Sequence, residues 1–377
     1  MTSSLEQSSA LHARVRAFAA GEPEPDETFE RLALDIARFQ EKTIPGFRRL
    51  VESRGVSFER VEEIPAVPTE VFRLARVAVH SHECDEVRFL TSGTTGAHGT
   101  HVMRTTETYR ALAVGFGRRA LASNWSGPRV VVALAPSPGQ RPTSSLGYMM
   151  QMFMEEWDGR ALAIDPKGAS FNALAPERWL VGTGGVDVGG LRRAALVAQQ
   201  RQEPFLVLAT SLALAGLLDM LAGGRIPAPK QTVVMQTGGF KGRARSVSST
   251  KLRAAVARAF RIPKSHVVGE YGMTELTSQL YEGTLPHGGL SGPPDVFLEP
   301  PWLRVTPVAP ETLRPVRDGE VGLARFVDLG NVDSAVAVLT QDLVRRTERG
   351  IELVGRQPRA IPRGCSLTTE AWLRGSA

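Results

Sequence analysis

Two short segments hold most of the chemistry the sequence offers. Thr91-Ser92-Gly93-Thr94-Thr95-Gly96 sets four hydroxyls and two glycines directly after a strand-like run. Glycines let the backbone turn tightly and present successive N–H groups to an anion. Hydroxyls add donors to phosphate oxygens without a fixed charge. A loop of this kind can close over a triphosphate and let pyrophosphate leave. It is not a P-loop, because it lacks the spacing and the Gly-Lys-Ser/Thr ending. By itself it also reads as a Ser/Thr-rich surface turn. The second segment, Gly269-Glu270-Tyr271-Gly272-Met273-Thr274-Glu275, follows another strand-like run. There Tyr271 can stack on a purine, Thr274 can bond a phosphate, and Glu275 can hold Mg²⁺ beside it. By itself this segment also reads as a strand-to-helix turn capped by Thr274.

Together, and in this order, Thr-Ser-Gly-Thr-Thr-Gly and Tyr-Gly-Met-Thr-Glu resemble the adenylate-forming superfamily of acyl-CoA synthetases, peptide-synthetase adenylation domains and firefly luciferase. The resemblance implies a half-reaction in which a carboxylate attacks the α-phosphate of ATP. It implies further matches. Gly238-Gly239, in Gln-Thr-Gly-Gly-Phe-Lys-Gly, resembles the glycine pair that borders the adenine. Asp342, in Leu-Thr-Gln-Asp-Leu, resembles the aspartate that holds the ribose hydroxyls. Gly355-Arg356 resembles the hinge-region pair whose arginine reaches the nucleotide.

Two departures are informative. Superfamily members commonly continue the first loop with Pro-Lys-Gly, whereas this chain has Ala97-His98-Gly99-Thr100-His101. Only 21 residues (377 − 356) follow Arg356, too few for the usual C-terminal domain with its catalytic lysine. Another cation must then offset the developing phosphate charge. Lys241 is the candidate, with a solvated loop cation as the plain alternative. His98 and His101, beside the phosphate loop, can contact phosphate or serve as surface or capping residues.

These departures, Ile64-Pro65-Ala66-Val67-Pro68-Thr69-Glu70-Val71-Phe72, and Arg363-Gly364-Cys365-Ser366-Leu367 resemble one branch. It is the acyl-protein synthetases of bacterial luminescence operons (LuxE type), and the resemblance runs nearly the full length. It implies that Cys365 accepts the acyl group from the adenylate as a thioester. It also implies an acyl-CoA reductase-like partner protein that takes the acyl group onward. A thiolate is a good acyl acceptor, and Arg356, Arg359 and Arg363 can lower the thiol's pKa. Cys84, among acids, reads as a packing cysteine. The tail after Arg356 has the length of a swinging arm.

The elements that must position these residues alternate. Helical spacing marks residues 26–53, with Asp26 or Thr28 as cap and a break at Pro45. Strands are expected at Val87–Thr91, Val130–Ala135, Ala161–Asp165, Phe205–Ala209, Val233–Gln236 and His266–Val268. Helices are expected at Thr105–Ser123, Leu191–Gln200, Leu212–Leu221 and Lys251–Phe260. This alternation predicts an α/β fold with packed, partly parallel sheets, the large domain of an adenylate-forming enzyme. Ligands in such folds bind at strand carboxyl ends. After Leu290, Pro and Gly rise, and short strands at Trp302–Thr306, Val321–Val327 and Ala335–Leu339 predict a small β-rich subdomain. The expected division is 1–85, a mostly helical entry; 86–290, the ATP and acyl core; 291–354, the β-rich part; and 355–377, the tail.

The whole chain sets limits. Hydrophobic residues make up 42% and charged residues 22% of 377, ordinary for a globular protein. No apolar run reaches the roughly 18 residues of a membrane span. No signal sequence is evident, so a cytoplasmic enzyme without integral membrane association is expected. The net charge of +6 comes mainly from scattered arginines, with six lysines, and no basic cluster argues for nucleic acid. Two cysteines form no disulfide framework. The cofactors expected are ATP and Mg²⁺, and the substrate a carboxylic, fatty-type acid. Two other readings stay open: a ligase that acylates coenzyme A or an acyl carrier protein, and a nucleotide-binding protein that has lost catalysis.

Overall fold

The structure is a computed structural model; it describes residues 2–55, 57–91, 98–123, 125–165, 167–238, 248–357 and 363–373. Along the chain, α1 (Thr2–Ala20) and α2 (Phe29–Thr43) come first. Thr28 caps α2 by accepting from Arg31 N, and Phe29, Leu32, Ile36 and Phe39 form its buried stripe. Pro45 starts α3 (Pro45–Arg54) at a position where its missing N–H costs nothing. The expected break at Pro45 thus separates two helices, joined at Ile44.

Then follow β1 (Val67–Pro68), α4 (Val71–Leu74), β2 (Val87–Leu90), β3 (Thr100–Met103), α5 (Glu107–Leu121), β4 (Val130–Leu134) and α6 (Ser145–Trp157). The middle holds β5 (Val181–Gly182), β6 (Gly185–Val186), α7 (Val188–Arg201), β7 (Phe205–Thr210), α8 (Ser211–Leu221), β8 (Val233–Thr237) and α9 (Ser249–Phe260). The last part is β9 (Val267–Tyr271), β10 (Leu280–Glu282), β11 (Val296–Leu298), β12 (Leu303–Val308), β13 (Val321–Asp328), β14 (Ala337–Thr347), β15 (Gly350–Arg356) and α10 (Arg363–Leu373).

Two expectations are corrected. Ala161–Asp165 is not a strand. Arg201 donates to the carbonyls of Ala161 and Ala163, and Arg178 to that of Arg160, so guanidinium groups take the oxygens a ladder would need. Glu275 is not followed by a helix either. The segment runs from β9 through a turn into β10, so Thr274 is no helix cap.

The chain divides into two compact units, one of residues 1–115, 273–279 and 299–377, the other of 116–272 and 280–298. In the second, β4, β7, β8 and β9 are parallel neighbours, and β10 and β11 continue antiparallel from β9. Val130, Val132, Val207, Val234 and Val267 share a core with Leu191, Leu214, Leu217, Val256 and Phe260 from the helices. Burial of each such side chain contributes about 1.5–3 kcal/mol.

The first unit is built on the antiparallel run β12-β13-β14-β15, with β1 parallel to β14 and a separate β2–β3 hairpin. Its N-terminal helices are fastened to the β13–β14 connection by buried polar groups. Gln40 donates to the carbonyls of Asn331 and Val332 and accepts from Val336 N. His12 Nε2 lies 2.9 Å from Asp333, whose other oxygen accepts from Ser8. Among the described residues no helix is long and apolar enough to cross a membrane.

Candidate active site

Thr91 stands just past β2, and residues 92–97 connect it to β3 across an antiparallel pair. The base of this connection is closed by three bonds. Thr91 N donates to Gly99 O at 2.9 Å, Gly99 N to Thr91 Oγ1 at 2.8 Å, and His98 Nδ1 to Thr91 O at 2.6 Å. A Cβ at residue 99 would sit 3.0 Å from Thr91 Cγ2, so the close approach favours glycine. Ser92, Gly93, Thr94, Thr95 and Gly96 lie outside the described residues.

His101, in the middle of β3, reaches the second motif within the same unit. Its Nδ1 lies 2.6 Å from the carbonyl of Thr274, and Ser334 Oγ lies 3.0 Å from its Nε2. A carbonyl only accepts, so Nδ1 carries the hydrogen and Nε2 accepts from the Ser334 hydroxyl. The ring is 2% exposed as a residue and packs edge-on against Phe72. Burial lowers its pKa to about 4, so it is neutral near pH 7. His101 is thus a buried holding group and not a cation at phosphate.

Beyond Thr274 the backbone is held by a polar clamp that sequence reasoning missed. Asn331 Nδ2 donates to Glu275 O at 2.9 Å. Thr277 N and Ser278 N donate to Asp328 Oδ2, Ser278 Oγ to Oδ1, and Thr277 Oγ1 to Asn331 Oδ1. Burial pushes the Asp328 carboxyl upward, and these donors oppose the shift. Glu275 is itself buried. The signal was present in the sequence: Asp328, Asn331, Asp333 and Ser334 interrupt an apolar stretch.

Asp342 faces Arg356 across β14 and β15, in register. Arg356 Nε is 3.9 Å from Asp342 Oδ1, and the arginine is half exposed while the aspartate is mostly buried. A shielded carboxylate accepts two hydroxyls well, as a ribose diol offers. A hard divalent cation takes carboxylate oxygens, and buried Glu275, its backbone pinned, fits that requirement.

The second unit carries the remaining candidates. Gly238 leaves β8 with φ +67, and its carbonyl accepts from Ser211 Oγ at 2.5 Å. Tyr271 ends β9 with its ring edge-on to Phe297, and Gly272 beyond it is exposed. Gly239 and Lys241 lie outside the described residues. Strand register lines up Thr210, Thr237, Glu270 and Tyr281 at the carboxyl ends of β7, β8 and β9 and on β10. Glu270 accepts from Thr237 Oγ1 and is 5% exposed. Burial pushes its pKa up to about 7, against the hydrogen bond that lowers it.

Cys365 falls in α10, although its side chain, like that of Arg363, is not among those described, and Arg359 lies outside the described residues. The tail is not a free arm along its whole length: Trp372, near its end, is 2% exposed.

No family model matches the chain. It is 21% identical over 322 residues to the long-chain-fatty-acid–luciferin-component ligase of Aliivibrio fischeri, covering 82% of this chain and 78% of that one. With the enzyme of the same name from Vibrio harveyi, it shares 21% over 334 residues, 85% of this chain and 82% of the other. Among solved structures, 2-hydroxyisobutyryl-CoA ligase with 2-HIB-AMP and CoA matches at a TM-score of 0.58 and 15% identity, covering 93% of this chain and 68% of that one. An open form of the same ligase gives 0.57 at 14% identity, with coverage of 87% and 69%. The chain has the fold of adenylate-forming CoA ligases and is similar over most of its length to the fatty-acid–luciferin-component ligases.

Proposed function

We propose that the chain is an AMP-forming acid–thiol ligase of the acyl-protein synthetase type, acting on a fatty-type carboxylic acid. The observation that carries this reading is the bond from His101 to the Thr274 carbonyl. It ties the strand leaving the Thr91–Gly96 segment to the Thr274–Glu275 segment, as one nucleotide site requires. The similarity to ligases named for long-chain fatty acids supports the acid class.

In the first step a carboxylate oxygen attacks the α-phosphorus of ATP, the bond to the β-phosphate oxygen breaks, and pyrophosphate leaves. Hydroxyls and amides of Thr91, Ser92, Gly93, Thr94, Thr95 and Gly96 hold the phosphates. Gly238, Gly239, Tyr271 and Gly272 border the adenine, and Asp342 with Arg356 holds the ribose side. Thr274 bonds phosphate, and Lys241 offsets charge that grows at the α-phosphate. Glu275 would hold Mg²⁺, which when bound neutralises phosphate charge. In the second step the Cys365 thiolate attacks the acyl carbon, the carbon–oxygen bond to AMP breaks, and the thiol proton goes to water. The thioester keeps the acyl group reactive for a reductase-like partner.

The test is ATP–pyrophosphate exchange and AMP release over a panel of aliphatic and aromatic acids. AMP-forming turnover with at least one acid is expected. No exchange with any of them sinks the proposal. Efficient acylation of free coenzyme A by the Cys365→Ser variant would move the acceptor from the protein to coenzyme A.

A further inference from the structure

α10 is seated in the first unit at its C-terminal end. Gly46, the second residue of α3, supplies the seat. A Cβ there would lie 2.5 Å from Trp372 Nε1 and 2.8 Å from Cδ2, so only the bare backbone lets the indole in. Phe47 packs on the same ring at 6.5 Å between centroids. Arg49 then closes the end of α10: its Nε and Nη2 donate to the Trp372 carbonyl at 3.0 and 2.7 Å. The last carbonyls of a helix have no partner within it, so this pair replaces water with a fixed cation. One turn earlier, Arg54 Nη2 donates to Thr368 Oγ1 at 2.8 Å, and Thr368 is 2% exposed. Leu367, next to Thr368 in sequence, is exposed.

Among the side chains described in α10, Thr368, Ala371 and Trp372 are buried. Cys365 stands in α10 three residues before Thr368 and seven before Trp372. An 11-residue helix is marginal by itself in water. The helix and its seat therefore stand or fall together. When Trp372 leaves Gly46, the helix that carries Cys365 loses its seat at that end.

We propose that Trp372 is the positioning residue for the Cys365 thiol, with Gly46, Arg49 and Arg54 as its seat. This rests on the reading of Cys365 as acyl acceptor, but the seat can be tested without acyl chemistry. In a Cys84→Ser background, Cys365 is the sole thiol. Its alkylation by iodoacetamide in the resting protein is compared among wild type, Gly46→Ala, Trp372→Ala and Trp372→Phe. Gly46→Ala protects the test against misfolding, because alanine is the better helix residue within α3. Loss of the seat should raise alkylation at least about tenfold in Gly46→Ala and Trp372→Ala, as local opening becomes easy. Trp372→Phe should restore most of the protection. In single turnover, the same two variants should slow self-acylation about tenfold or more while pyrophosphate exchange stays at the wild-type rate. Wild-type alkylation and acylation rates in both variants overturn the proposal. Alkylation that responds to the seat in a protein that never acylates Cys365 leaves the seat standing and removes the acyl-acceptor reading instead.

Discussion

His101 Nδ1 and the carbonyl of Thr274, 173 positions apart in sequence, meet at 2.6 Å. The geometry assigns the tautomer, and the lowered pKa keeps the ring neutral, so its role is to hold a backbone atom in place. Losing this donor removes a buried hydrogen bond to the Thr274 carbonyl, a cost of about 1–3 kcal/mol, and loosens one hold on that segment. His101→Ala should lower pyrophosphate exchange roughly 10- to 100-fold, since small misplacements at a reacting centre are costly. Asn places an amide N–H near the Nδ1 position, so His101→Asn should recover most of the rate. Equal losses in the two variants, measured under saturating ATP, would remove the Thr274 bond from the explanation.

In the proposed reaction Asp342 serves binding and Glu275 serves chemistry. On that proposal, replacing the Asp342 carboxylate removes charge-assisted bonds to the ribose of about 1.5–3 kcal/mol. Asp342→Asn should therefore raise KM for ATP roughly 10- to 100-fold with a smaller change in kcat. Glu275→Gln should depress kcat and shift the Mg²⁺ dependence of exchange to higher concentration. Steady-state exchange with ATP and Mg²⁺ varied in turn reads both. A Glu275→Gln enzyme with an unchanged Mg²⁺ profile excludes the residue as a metal ligand.

Much of the fold is readable along the chain, because β4, β7, β8 and β9 are apolar runs and α7, α8 and α9 repeat at helical spacing. Local rules also offer Asp26 or Thr28 as a cap, of which the fold uses Thr28, and a break at Pro45, where the fold starts a new helix. What escapes is set by partners distant in sequence. His101 offers phosphate contact when read beside the glycine loop, and only the fold shows its ring turned to Thr274 and Ser334. Ala161–Asp165 has the composition of a strand, but Arg178 and Arg201 take nearby carbonyls. The tail looks too short for structure until Gly46 is seen to receive Trp372.

Lys241 and Cys365 act at different steps in the proposed reaction. Lys241→Ala should cut the adenylation rate roughly 10²–10³-fold, as loss of one transition-state donor does, with little change in ATP binding. Cys365→Ser should leave exchange nearly intact and abolish hydroxylamine-sensitive labelling by radioactive acid and ATP. Cys84→Ser should still label. Labelling of Cys365→Ser at the wild-type level would show the acyl group is carried elsewhere.

Glu270 makes stability depend on pH in a direction unusual for a carboxylate. Its folded pKa, about 7, stands above the ordinary 4.5, because burial disfavours the charged form more than the Thr237 hydroxyl favours it. The folded chain thus holds this proton more tightly than the unfolded chain. The associated stability is fully present below pH 4.5 and is lost as pH rises through about 7. From (7 − 4.5) × 1.36, the loss is on the order of 3 kcal/mol. His101 works the other way: its pKa of about 4, against 6.5, gives stability that is present above 6.5 and lost as pH falls through 4. The two oppose each other in the wild type, so single variants are needed to see either. Glu270→Gln keeps an oxygen to accept from Thr237 and cannot ionise. Relative to wild type, its unfolding free energy in urea should be similar or lower at pH 5, and it should gain steadily to about pH 8, by up to about 3 kcal/mol. A wild-type-to-variant difference that stays constant from pH 5 to 8 would mean Glu270 does not titrate in that range.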